Sequence, residues 1–373
     1  MIFNISKEDK QSKARLGTLR LAHGCVQTPT FMPVGTQANI KGVFHKDIED
    51  TGCTLILANT YHVYLRPGVE VITQAGGLHG FSSWKHNILT DSGGFQIFSL
   101  KGLRKIKEEG VYFQSHIDGS AHFLSPEKVV DLQTAYNSDI QMILDVCTPP
   151  NIPYAEALEA LKITTQWARR GVQRWHEKRQ EGYKGQLFTI IQGNFYKDLR
   201  VRSAEEILEL DTPGLAIGGL SVGEPAPVFH EYLAFTVDLM PKEKPRYVMG
   251  IGTIDYILSA VANGIDMFDC VNPTRIARHA TAMTRRGNLS LKAQRFEKDF
   301  RPLEEDCTCP VCQRYCRAFI RHLFKSGEIL GQMLLSLHNL SFLTRFMQEI
   351  RKSLEEDRFT AFKKEALEQY YGK

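Results

Sequence analysis

Eight short apolar runs, separated by stretches of helical length, constrain this chain more than any other feature. They cover residues 31–36, 54–60, 88–94, 140–146, 187–193, 215–220, 246–252 and 267–272. Most are continuously apolar rather than alternating, which is the pattern of strands buried on both faces, as in a parallel sheet. Between them, residues 125–138, 154–179, 196–210 and 224–239 read as amphipathic helices. The first opens on Ser125-Pro126-Glu127, an N-cap with proline at the first helical position. Strand–helix alternation predicts an α/β fold, and eight repeats predict a closed (β/α)8 TIM barrel rather than an open sheet.

In such a barrel the chemistry collects at the C-terminal ends of the strands. Asn59-Thr60, Asp91-Ser92-Gly93-Gly94, Asp145, Gln192-Gly193, Gly218-Gly219, Gly250 and Asp269 fall there. Any one of these alone reads as turn chemistry. Asp91, Asp145 and Asp269 are different, because each ends or directly follows an apolar run, where an unpaired carboxylate is costly. Asp269 is followed by Pro273 and then by Arg275, Arg278, His279, Arg285 and Arg286. A carboxylate beside a basic run points to chemistry on a polyanion. With a formal net charge of only +4, such a surface must be a local patch.

Other classes are set aside by what the chain lacks. No apolar run of about 18 residues predicts a membrane span, and the polar start of the chain does not read as a secretory signal. Eight cysteines without secretory features do not read as a disulfide framework, and a cytoplasmic location is expected. Three of them, Cys307, Cys309 and Cys312, form C-x-C-x-x-C. Thiolates so spaced can wrap one soft cation, and zinc takes four sulfur or nitrogen ligands. Cys316, His322 and His338 are the candidates for the fourth. A closed site of this kind is structural, so residues 301–373 are expected to form a helical metal-binding subdomain. Residues 1–300 are expected to form the barrel, with a short N-terminal β segment.

Taken together, these features resemble the bacterial tRNA-guanine transglycosylases, also called queuine tRNA-ribosyltransferases. The motifs that carry the resemblance are Asp91-Ser92-Gly93-Gly94-Phe95-Gln96, Gly218-Gly219-Leu220-Ser221-Val222-Gly223-Glu224, Met249-Gly250-Ile251-Gly252 and Phe268-Asp269-Cys270-Val271-Asn272-Pro273-Thr274-Arg275. The cysteine motif with the later Leu337-His338-Asn339 completes the set. The resemblance covers almost the whole chain and implies a barrel with an inserted zinc subdomain, one structural zinc held by Cys307, Cys309, Cys312 and His338, and a homodimer. It also implies an activity: exchange of guanine at wobble position 34 of certain tRNAs for a 7-deazaguanine. Asp269 would be the nucleophile on the ribose and Asp91 the proton carrier.

The implied base site contains Asp91, Ser92, Gly93, Gly94, Phe95, Asp145, Gln192, Gly219, Leu220 and Met249. Asp145 would accept from N1–H and the exocyclic amine. Gln192 and the Gly219 N–H would donate to O6, the Leu220 carbonyl would face the 7-substituent, and Phe95 and Met249 would sandwich the ring. The implied tRNA contacts are Gly250, Ile251, Gly252, Thr253, Ile254, Asp255 and Tyr256, then Thr274, Arg275, Ile276, Ala277 and Arg278. Val222 and Cys147 look like the pocket of enzymes that take the small base 7-aminomethyl-7-deazaguanine (preQ1) rather than queuine. One departure is the longer stretch from Ile276 to Gly287, and a second is Asn272, where Met or Leu is common. Two other readings of a barrel with paired carboxylates are a glycoside hydrolase and a non-catalytic tRNA-binding subunit.

Overall fold

In a computed structural model, which describes residues 2–100 and 102–372, all eight expected runs form strands of one parallel sheet. They are β1 (Thr30–Pro33), β2 (Leu55–Asn59), β3 (Asn87–Asp91), β4 (Ile140–Met142), β5 (Gln186–Ile191), β6 (Gly214–Ile217), β7 (Arg246–Val248) and β8 (Met267–Cys270). Each strand pairs with the next in chain order, and β8 returns to β1 with Met267 opposite Thr30 and Cys270 opposite Pro33. A parallel bridge from Val34 to Leu57 joins β1 to β2 and closes the barrel. The β2 residues are buried throughout, as strands covered by helices outside and packed side chains inside must be.

The four expected helices are present as Pro126–Ala135, Tyr154–Gln180, Lys197–Leu208 and Ala226–Asp238. Ser125 caps the first as expected, its Oγ accepting from the Lys128 N–H at 3.2 Å. The N-terminal β segment is a three-stranded antiparallel sheet, Phe3–Glu8, Arg15–Leu21 and Gly24–Thr28, at the N-terminal end of the barrel. Arg15 fastens it there, buried with Asp266 just ahead of β8. A second antiparallel meander, Arg104–Lys107, Gly110–Gln114 and Ala121–Leu124, follows β3 and was not expected.

Two hydrophobic cores divide the C-terminal part. One contains Ala277, Leu291, Leu303, the three motif cysteines, Ile320 and Leu335. The other is the barrel core, and it includes Phe342, Phe346, Ile350, Phe359 and Phe362. The seam therefore runs through the helix Ile329–Glu355, whose first half packs on the cysteine-rich unit. Its second half lies on the barrel, where Arg351 donates to the Pro29 carbonyl at 2.7 Å and Gln348 to the Thr51 carbonyl at 3.2 Å. That half stands where the helix after β8 belongs, so the expected division at residue 300 does not coincide with the division of the cores.

Candidate active site

Asp91, Asp145, Gln192, Gly219 and Asp269 meet at the C-terminal mouth of the barrel because they end or follow β3, β4, β5, β6 and β8. Asp269 is held by its neighbour β7. Its Oδ1 accepts from the Tyr247 hydroxyl at 2.6 Å and from the Gly250 N–H at 3.0 Å. Both donors engage the same oxygen, which fixes the rotamer and leaves Oδ2 for a reacting atom. Burial raises the Asp269 carboxyl above the usual carboxylate range, and these two donors pull it back.

Asp91 is the most heavily hydrogen-bonded of the three. Its Oδ2 accepts from the Asn59 amide and from Gln96 Nε2 at 2.9 Å. Its Oδ1 accepts from the Thr60 N–H at 2.9 Å and the Gly93 N–H at 3.1 Å. Burial nevertheless pushes its carboxyl up to about 6. Asp145 has one side-chain donor, Gln192 Nε2 at 2.7 Å from Oδ2. Burial pushes it up to about 6 as well. The Gln192 bond opposes that rise, and the charge of Asp91 adds to it. Two carboxylates that feel each other in a dry pocket are poised between charged and neutral near neutral pH, which suits proton transfer and donor recognition.

Two glycines make the pocket possible. A Cβ on Gly94 would lie 3.0 Å from the Asp145 carbonyl and 3.2 Å from its Oδ1, so this turn approaches Asp145 as only glycine can without displacement. A Cβ on Gly219, where φ is +69°, would lie 2.8 Å from Gln192 Oε1. Ser92 accepts from the Gly94 N–H and shapes the same turn. Leu220 is buried beside β6, and Met249 is half-buried at the end of β7. Phe95 stands 55% exposed on the short helix Gly94–Phe98 at the mouth, a ring without a full covering.

The two segments expected to meet RNA are more varied than the resemblance implied. Gly250 is exposed, but its N–H is engaged by Asp269. Ile251, Gly252 and Ile254 are buried, and Thr253 precedes the helix Ile254–Ala262. Asp255 accepts from the Tyr371 hydroxyl at 2.7 Å, and Tyr256 packs on Phe229 at 4.6 Å between ring centres. In the helix Asn272–Arg278, Thr274 and Ala277 are buried and Ile276 packs against the barrel core, while Arg275 is exposed and Arg278 half-buried. These buried side chains fix the segments and leave Arg275 as the clearest outward cation. Arg285 does not extend that face, since it pairs with Glu349 of the long helix. The unusual length after Arg275 finishes this helix and builds the hairpin Thr281–Ala282 with Leu289–Ser290, part of the cysteine-rich unit.

Cys307, Cys309, Cys312 and His338 are all buried and bring four donor atoms within 4.8 Å of one another. Cys309 Sγ and Cys312 Sγ lie 3.5 and 3.4 Å from His338 Nδ1. His338 Nε2 lies 2.9 Å from the Met283 carbonyl, which as acceptor assigns the ring proton to Nε2 and turns the Nδ1 lone pair toward the sulfurs. The set can hold a metal ion. Cys316 and His322 stay outside it, Cys316 at the N-cap of the helix Arg317–Lys325. The other such cluster among the described residues, His23, His79 and Asp139, lies at the opposite end of the barrel. Its rings stack 3.7 Å apart at 19°, so an ion in the plane of one lies outside the plane of the other. Asp139 there clamps the Ile88 and His23 N–H groups.

Residues that the sequence did not assign complete the site: Tyr247, Asn59, Thr60 and Gln96. In the sequence Asn59 and Thr60 stand only as strand-end polar residues, and Gln96 only as part of a motif. Tyr247 lies within an apolar run and gave no signal.

Comparison with known proteins identifies the family. A family model described as queuine tRNA-ribosyltransferase matches residues 9–372. The chain is 55% identical to a queuine tRNA-ribosyltransferase of Borrelia hermsii over 369 residues, covering 99% of this chain and 98% of that protein. It is 54% identical to one of Treponema denticola over 369 residues, with 99% and 97% covered. A third, from Pelotomaculum thermopropionicum, is 53% identical over 370 residues, with 99% of each covered. With a family match running through barrel and cysteine-rich unit alike, this chain belongs to the queuine tRNA-ribosyltransferase family.

Proposed function

We infer that this protein is a tRNA-guanine transglycosylase, a pentosyltransferase that exchanges guanine at wobble position 34 of GUN-anticodon tRNAs for a 7-deazaguanine. The observation that carries the reading is the Asp269 carboxylate, presented at the barrel mouth with one oxygen pinned by Tyr247 and Gly250 and the other free. In the first step Oδ2 attacks C1′ of the ribose. The C1′–N9 bond breaks, its electron pair leaves with guanine, and the Asp91 carboxyl supplies the proton to N9. In the second step Asp91, now a carboxylate, takes the N9 proton of the incoming base. N9 attacks C1′, and Asp269 departs as a carboxylate. Two inversions give retention, as in a retaining glycosidase with base in place of water. A carboxyl near 6 serves both directions of the proton transfer near neutral pH.

Asp145 reads the base through N1–H and the exocyclic amine, two adjacent donors that match one carboxylate. Gln192 and the Gly219 N–H donate to O6. Ser92, Gly93 and Gly94 bring the backbone close, and Phe95 and Met249 cover the ring faces. The incoming base of this reading is preQ1, on the strength of Val222 and Cys147. A pocket difference of one or two methyls is worth only ~1–3 kcal/mol, so queuine is the comparison substrate in its test. Arg275 grips the anticodon stem-loop electrostatically, and residues 250–256 and 274–278 flank it. Cys307, Cys309, Cys312 and His338 would hold a structural zinc, which when bound ties the C-x-C-x-x-C loop to the long helix and takes no part in the chemistry. The same reading makes the protein a cytoplasmic homodimer.

The test is incorporation of labelled guanine into tRNA bearing G34, followed by competition between preQ1 and queuine. The expected result is stoichiometric label at position 34 and preference for preQ1. No incorporation by the wild-type protein would overturn the function, and a large preference for queuine would overturn the choice of base.

A further inference from the structure

Arg200, on the helix Lys197–Leu208, is wholly buried below the base pocket. Its Nε donates to the Asn194 carbonyl at 2.8 Å and its Nη2 to the Gly218 carbonyl at 3.2 Å, while Nη1 has no partner. The acceptors lie in the turns just after two barrel strands, Asn194 after β5 and Gly218 after β6. Burial lowers its pKa to about 10, which leaves the guanidinium charged at neutral pH. The carboxylate that most favours that charge, Glu224, is itself engaged by the Ser221 and Val222 N–H groups. A buried cation satisfied only by backbone carbonyls is costly, and its placement calls for an account.

The Gly218 carbonyl and the Gly219 N–H belong to one peptide unit. A trans peptide sets its C=O and N–H antiparallel. With the carbonyl bound by Arg200 from beneath, the Gly219 N–H points away from Arg200. The guanidinium and the Gln192 amide both border Gly219: its ideal Cβ would be 3.6 Å from Arg200 Nη2 and 2.8 Å from Gln192 Oε1. Gln192 in turn donates to Asp145. The Gly218 N–H is already fixed on the Ile191 carbonyl at 3.0 Å. The start of the Arg200 helix is pressed so closely on the turn after β5 that a Cβ on Gly193 would lie 2.7 Å from the Arg200 backbone nitrogen. The guanidinium therefore has little freedom to aim elsewhere.

We propose that Arg200 is a positioning residue for base recognition, fixing the Gly218–Gly219 peptide plane and polarising it, so that the Gly219 N–H is an aligned, strengthened donor to the six-position acceptor of the base. A charged donor on the carbonyl end of a peptide strengthens the N–H at its other end. This rests on the base-binding role given above to Gly219. It adds a residue that never touches the base and yet sets how strongly O6 is discriminated from a poorer acceptor.

The test uses full-length, zinc-loaded Arg200→Met and Arg200→Gln in labelled-guanine exchange, with 6-thioguanine as competitor. 6-Thioguanine keeps N1–H and the exocyclic amine but offers a weaker acceptor at the six position. The quantity read is the ratio of Ki for 6-thioguanine to KM for guanine. It is expected to fall ~10-fold in both neutral variants, the loss of about one well-aligned hydrogen bond, and to be largely kept in Arg200→Lys. A merely structural role moves KM and Ki together and leaves the ratio at its wild-type value, which would overturn the proposal. Should neither neutral variant fold, Arg200→Lys decides, and a ratio lowered ~10-fold in it despite the retained charge would overturn the proposal. Absence of exchange by wild type would instead count against the function, so the two failures are distinguishable.

Discussion

Asp145→Asn separates what this carboxylate does for the base from what it costs the fold. Burial raises its pKa from the ordinary 3.8 to about 6. A gap of about 2 pH units corresponds to about 3 kcal/mol of native-state penalty when the group is charged, at ~1.4 kcal/mol per unit. The sign follows from linkage. The folded state binds this proton more tightly than the unfolded state. The penalty is therefore absent below about pH 4, grows between about 4 and 6, and is complete above that. Asparagine is nearly isosteric and can still accept from Gln192 Nε2, but its own amide lacks a matched acceptor, which subtracts about 1 kcal/mol. The variant is expected to be more stable than wild type by about 2 kcal/mol at pH 8, a rise in Tm of roughly 2–3 °C for a chain of 373 residues. That advantage should shrink by about 3 kcal/mol, and so reverse slightly, on going to pH 4. Guanine exchange should fall at least about 100-fold, because half of the paired acceptor becomes a donor facing N1–H. Thermal melts from pH 4 to pH 8, together with labelled-guanine exchange, measure both. A stability difference independent of pH, or exchange at the wild-type rate, would refute the reasoning.

Three further outcomes are expected. Tyr247→Phe removes one of two donors to Asp269 Oδ1, so the acidic limb of kcat/KM for tRNA should move up by about 1 pH unit, the worth of one charge-assisted bond, as pH–rate profiles would record. Cys309→Ala should lose stoichiometric zinc by elemental analysis and lower Tm by about 10 °C, since a three-ligand remnant no longer ties the cysteine loop to the long helix. Arg275→Ala should raise KM for tRNA and reduce its salt slope by about 1, while inhibition by free guanine analogues is unchanged.

The barrel was legible in the sequence because its strands are buried on both faces and so read as unbroken apolar runs. The edges were less legible for physical reasons. The 104–124 meander is built of strands of four or five residues whose burial patterns differ from one another, too short for a periodicity to stand out. The helix Ile329–Glu355 carries apolar residues for two different cores, and nothing local tells which half faces the barrel. Of the site, the three aspartates were visible because a carboxylate closing an apolar run is anomalous. Tyr247, which orients one of them, is an ordinary strand residue in sequence terms. Arg200 and Arg202 share one short helix, yet Arg200 is buried under β6 while Arg202 pairs with Glu206 near solvent. Arg285 read as an RNA contact because its partner, Glu349, lies 64 residues away.

In the proposed mechanism Asp269 becomes covalently bound to the ribose. The measurement that bears on it most directly is mass spectrometry of peptides from protein incubated with G34 tRNA without incoming base and quenched in acid. A ribosyl-RNA adduct is expected on the peptide carrying Asp269 for wild type, with no adduct for Asp269→Asn and release of the adduct when guanine is added before quenching. An adduct on Asp91 instead, or wild-type exchange by Asp269→Asn, would contradict it.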